Sequence, residues 1–182
     1  MEELSLHILD IMENSLAAGA KLIQVEIEED PARDRFTLTV SDDGRGMDQA
    51  TAARALDPFF TTRTTRRVGL GLSLLKANAQ ACGGDLEVDS HPGSGTRVRA
   101  WFQLSHIDRQ PLGDWPGTLA GMLLSHPEVD IRYRHRVGDD TFELDTREVK
   151  AELGPGALGD PAVVGFLRRQ VARALEEMAS RA

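Results

Sequence analysis

The chain has 182 residues, enough for one domain or one domain with a small appendage. A chain of that size buries roughly 70% of its unfolded surface without metal or disulfide staples. Its 21 basic and 29 acidic residues leave a net charge of −8, which argues against broad nucleic-acid binding. The lone cysteine, Cys82, excludes an internal disulfide and fits a reducing compartment. No apolar run approaches a membrane span, and the opening MEELSLHILDIMEN is too acidic for a signal peptide. A soluble cytoplasmic protein is expected.

In chain order, Leu4, Ile8, Ile11 or Met12, and Leu16 recur at helical spacing and predict a helix over 3–18, with Gly19 as its stop. KLIQVEIEE alternates as a strand, PARD turns, and RFTLTVS alternates again. DDGRGM breaks that strand, a short helix is expected over 48–56, and 57–68 has no clear period. A helix over about 70–82 ends at Gly83-Gly84, and DLEVDS and GTRVRAWFQL form two strands across HPGSG. Hairpin-linked strands with interspersed helices predict a mixed sheet covered by helices on one face, an α/β class. Residues 107–117 carry prolines and glycines and read as a linker. Beyond it come a helix near 117–125, a hairpin DIRYRHRVGDDTFELDT, and a closing helix over 160–180. His126 and His135 stand isolated there and read as surface or partly packed residues.

Three polar groups stand out against this frame. RRVGLGLSLLK places Gly69 and Gly71 just before a helix, where backbone N–H groups can approach an anion. The Walker and dinucleotide patterns are both missing, so a tight turn explains the pair as well. His7, Asp10 and Asn14 share one face of the first helix. An Asn amide oxygen beside a carboxylate suits a magnesium-nucleotide site, and an ordinary solvated stripe suits the same residues. In SDDGRGM, Asp42 ends an apolar strand, and Gly44 and Gly46 leave room for a flat group. A carboxylate there would accept from an exocyclic amine, although Asp and Gly are also the usual residues of a strand-end turn.

The ordered series MENSLAAGA, DDGRGM, DPFFTTR, GLGL and PGSGT is far more specific than any one motif. With it, residues 1 to about 105 resemble the ATP-binding domain shared by DNA gyrase, heat-shock chaperones, histidine kinases and the mismatch-repair protein MutL. DPFFTTR and the GLGL stretch look most like histidine kinases, and MENSLAAGAKLI more like MutL. The resemblance implies a Bergerat fold, an α/β sandwich that binds ATP, over 1–106, with a small α/β extension over 107–182 as a partner-binding region. It implies that Asp42 recognises adenine with Gly44, Gly46, Met47 and Thr96 nearby, and that Asn14 coordinates magnesium. Gly69, Leu70, Gly71 and Leu72 would contact the phosphates, and 57–68 would be a mobile lid carrying Arg63 and Arg67.

The departures from the family bear on chemistry. The family's water-activating or kinase glutamate falls at Asp10, a methylene shorter, which leaves Glu13 as a second candidate. The basic residue that histidine kinases place three positions after the Asn is Ala17 here. The chain begins at the helix bearing the Asn, so a complete sensor kinase is not expected. Three readings follow: a kinase or ATPase acting on a separate partner, an ATP-driven switch, or a module that holds ATP without turnover. LSHIDRQPLGD and FELDTREVK look similar to small ATP-binding proteins of anaerobic bacteria, often encoded beside iron hydrogenase subunits, which implies a hydrogenase-related partner.

Overall fold

A computed structural model describes residues 3–57 and 71–180. The predicted lid and Arg63, Arg67, Gly69 and Leu70 lie outside the described residues, apart from Asp57 at the lid's first position. The elements run α1 (Leu4–Ala17), β1 (Leu22–Asp30), β2 (Arg35–Asp42), α2 (Gln49–Arg54), α3 (Gly71–Ala81), β3 (Asp85–His91) and β4 (Gly95–Gln103). They continue with α4 (Trp115–Ser125), β5 (Asp130–Val137), β6 (Asp140–Asp145), α5 (Thr146–Leu153) and α6 (Pro161–Ala179). The expected mixed sheet is present, with order β3-β4-β2-β1-β5-β6. Every neighbouring pair is antiparallel except β1 with β5, which run parallel from Leu22 opposite Asp130 to Glu29 opposite Val137.

Strand alternation sorts the two faces of this sheet. Ile23, Val25 and Ile27 of β1, Phe36, Leu38 and Val40 of β2, and Val98, Ala100 and Phe102 of β4 are all buried. They form one core with Ile8 and Met12 of α1, Leu75 of α3, Leu119 and Leu123 of α4, and Val164 and Val171 of α6. The core therefore runs without a break across residue 106. The alternate positions carry charge in columns that pair along the opposite face: Arg99 with Glu87 at 3.5 Å, Arg134 with Glu143 at 3.6 Å, and Arg136 with Glu28. Among the described residues, no helix is long and apolar enough to cross a membrane.

Local chemistry explains most element ends. Gly19 takes φ +78° after α1, where an L side chain would be strained. Asp114 caps α4 through the Gly117 N–H at 2.9 Å, with Pro116 in the first turn, so α4 starts at Trp115 rather than near 117. α5 was not foreseen in TREVKAEL; Asp145 starts it by accepting from Arg147 N at 3.0 Å. α1 lacks a capping side chain, and its first N–H groups are met instead by the connection between β4 and α4. Leu4 N donates to Pro111 O and Ser5 N to Leu112 O, each at 2.9 Å.

His135 departs from the surface reading. It is 1% exposed, with Nδ1 2.8 Å from the Tyr133 hydroxyl and Nε2 3.0 Å from Glu29 Oε1. Glu29 accepts, so Nε2 carries the proton and Nδ1 accepts from Tyr133. Burial pushes the Tyr133 hydroxyl well above the usual phenol range. Trp115 packs on Tyr133 with ring centroids 5.3 Å apart. This chain of contacts locks β5 and α4 of the C-terminal half to β1.

Candidate functional site

Two clusters gather along α1. The first forms where β2 ends. Asp42 Oδ2 accepts from the Ser15 hydroxyl at 2.6 Å, and Oδ1 accepts from Gly44 N at 2.9 Å and Thr96 N at 3.3 Å. Gly46, at φ +67°, packs so tightly on the His91 carbonyl that a side chain has no room. Met47 N donates to Ser90 Oγ at 2.8 Å, and Ser90 lies 2.8 Å from Thr96 Oγ1. Asp42, Gly44, Gly46, Met47 and Thr96, separated by up to 54 positions, thus meet at one end of α1. A carboxylate offers about four acceptor positions, and the described residues use three of Asp42's, so it can accept one more donor.

A cleft of about 320 Å³ also borders Asp42 and Thr96. Its other walls include Gln24, Glu26, Ser41 and Arg97, which belong to the charged face of the sheet. The cleft therefore lies behind the Asp42 cluster rather than between the sheet and α1.

The second cluster joins α1 to the start of α3. A side chain at Gly71 would overlap Asp10 Oδ2, so the missing side chain is what lets α3 begin against that carboxylate. Leu72 packs against the core edge, while Asn14 and Glu13 are exposed on α1. Asp10 and Ser15 are five residues apart, about 7.5 Å along the helix, so α1 carries one cluster at each end of a short span. His7, which a solvated stripe would expose, is instead buried at 2% exposure, and desolvation lowers its pKa from 6.5.

Sequence reasoning missed Ser15 and Ser90. The signal for Ser15 was available, since it continues the buried stripe Leu4, Ile8, Ile11, Met12, where a hydroxyl needs a partner. Ser90 had no such signal, because its partners come from two other segments.

Residues 2–106 match the family described as histidine kinase-, DNA gyrase B-, and HSP90-like ATPase. The sensor protein kinase FleS of Pseudomonas aeruginosa is 44% identical over 89 residues, covering 49% of this chain and 22% of that protein. The non-motile and phage-resistance protein of Caulobacter vibrioides is 31% identical over 117 residues, covering 59% of this chain and 14% of that one. The chain thus spans less than a quarter of either relative. In fold it is similar to the N-terminal domain of a DNA repair protein, with a TM-score of 0.56 at 16% identity over 86% of this chain and 58% of that one. The mixed sheet and its helices are the Bergerat arrangement, and the chain belongs to the histidine kinase-, DNA gyrase B- and HSP90-like ATPase family as an ATP-binding, histidine-kinase-like domain.

Proposed function

We propose that this chain is a cytoplasmic Mg-ATP-binding regulatory protein, acting as a histidine-kinase-like ATPase or protein kinase on a separate partner. The observation that carries the reading is the Asp42 cluster. Three donors from α1, the 43–48 loop and β4 fix the carboxylate and leave it one acceptor position. An adenine amino group donates there, whereas guanine presents a carbonyl oxygen to an acceptor. The residues fit ATP on this ground, and the close approach at Gly71 suits a phosphate-facing helix start.

In this reading Asn14 would hold magnesium through its amide oxygen beside the ATP phosphates. Bound there, the cation would supply neutralising charge beside the phosphates. Gly69, Leu70, Gly71 and Leu72 approach those phosphates, with Arg63 and Arg67 from the lid. Asp10 orients the attacking group, and Glu13 is the substitute should Asp10 be too short.

Incubation with γ-labelled ATP, alone and with candidate partners, tests the reading. Label on protein identifies a kinase and free phosphate an ATPase. The absence of both, with the true partner present, leaves a switch or assembly factor that binds ATP without appreciable turnover. That second reading draws support from the parallel β1–β5 pairing, which makes the C-terminal half continuous with the ATP-binding sheet. The tail's similarity to proteins encoded beside iron hydrogenases makes a hydrogenase-related complex the first partner to try.

A further inference from the structure

The first two turns of α1 meet the connection to the C-terminal half and the start of α3 at once. Pro111 and Leu112 carbonyls cap the helix, and Glu3 Oε2 accepts from Asp114 N at 3.3 Å. Asp114 in turn caps α4. His7 lies between this seat and α3. Its Nε2 is 3.1 Å from Gln110 Oε1, which can only accept, so the proton sits on Nε2 and Nδ1 is a bare acceptor. Nδ1 is buried and makes no hydrogen bond of good geometry among the described residues; its polar neighbour is the Gly71 backbone. Asp10 and the Gly71 backbone lie beside the ring.

A residue that merely filled this space would be apolar, as Leu4, Ile8, Ile11 and Met12 are along the same stripe. His7 instead spends one nitrogen on the connection and turns the other toward the start of α3, where the Gly71 backbone is its polar neighbour. We propose that His7 is a positioning residue coupling the start of α3 to residues 107–114. Nucleotide at the α3 end and the seating of the C-terminal half on α1 then bias one another. The proposal rests on the reading of Gly71 as the phosphate end. Because Gly71 has no side chain, α3 and the Asp10 turn of α1 touch directly, and a shift of one changes what Nδ1 meets. The ring, held by Gln110 on its other side, passes that change to the segment whose carbonyls cap α1. The coupling is reciprocal, as any linkage between two sites must be.

Hydrogen exchange of residues 107–114 in the whole 182-residue chain, with and without saturating Mg-ATP, tests the coupling, with ATP affinity measured alongside. In wild type, Mg-ATP should slow exchange there roughly fivefold or more, the lower end of ordinary coupling between sites. His7→Phe keeps the volume and loses both nitrogens; it should bind Mg-ATP and lose the response. His7→Gln restores a donor near the Nε2 position and should recover the response in part, which simple space-filling would not do. If His7→Phe does not fold, Gln110→Leu breaks the same bond from the half-buried connection and should abolish the response. An equal response in wild type and these variants, or binding without response in wild type, overturns the coupling. Failure of wild type to bind Mg-ATP overturns the nucleotide reading and the coupling together, a result distinct from either.

Discussion

The two clusters along α1 differ in what meets there. At the Asp42 end, side chains and backbone amides from three segments hold one carboxylate, and the glycines nearby are packed against carbonyls. At the Gly71 end, Asp10 sits against a helix start where no side chain intervenes, and His7 is buried beside it. Under the proposed function, a preorganised recognition cluster would stand beside a close backbone approach at the reacting cluster. Discrimination between bases needs fixed acceptors, whereas a reacting group must accommodate changes of charge and position.

The largest effect should come from the Asp10 cluster. Asp10→Asn keeps the size and removes the charge, so Mg-ATP affinity should hold while turnover falls by roughly 10²–10⁴, the scale of a lost general base. Phosphate release and label transfer measure it; wild-type turnover in the variant would pass the role to Glu13. Next is the recognition end. Asp42→Asn replaces an acceptor with an amide that must also face the Gly44 and Thr96 N–H groups. ATP affinity should drop at least tenfold, from a loss of about 1.5–3 kcal/mol, and discrimination against GTP should shrink. Equal ATP affinity in the two proteins would remove Asp42 from adenine recognition. Ser15→Ala leaves the carboxylate in place and removes one neutral donor, so titration should show a smaller loss, about 1 kcal/mol. If Ser15→Ala costs as much as Asp42→Asn, the cluster acts as one unit rather than as a carboxylate with helpers.

The smallest expected effect is a pH dependence of stability. Burial lowers the His7 pKa below 6.5 in the folded chain, so the unfolded chain binds the extra proton more readily as pH falls through 6.5. Wild type should therefore lose stability on acidification below 6.5 and continue to do so down to the lowered folded value. Urea midpoints across that window should fall less steeply in His7→Gln. Parallel slopes would mean that the ring is not held neutral by its surroundings.

Much of this architecture was legible because its signals are local. Alternation marked β1 to β4 nearly to the residue, and Gly19 marks the end of α1 through its own backbone. DDGRGM was legible as a strand-end break, and the structure shows why each glycine is needed where it stands. What stayed hidden depends on partners far away in sequence. His135 gave no sign of burial, since Glu29 and Tyr133 make it a core residue only after β5 has found β1. The parallel pairing itself has no turn or spacing to announce it. α5 was obscured because Val149 is its one large apolar residue packed on the core, Leu153 being exposed, too few to set a period. His7 was misjudged for the same reason: the connection that covers it is more than a hundred positions downstream.

The parallel seam between β1 and β5 has a practical corollary for anyone dividing this protein. A fragment ending near residue 106 would turn β1 from an interior strand into a sheet margin, baring a ladder from Leu22 to Glu29. Lost with the C-terminal half would be the Tyr133–His135 anchor on Glu29. An uncovered strand of that length is a template for stacking against other chains, so such a fragment should precipitate or self-associate rather than stand in for the ATP-binding unit.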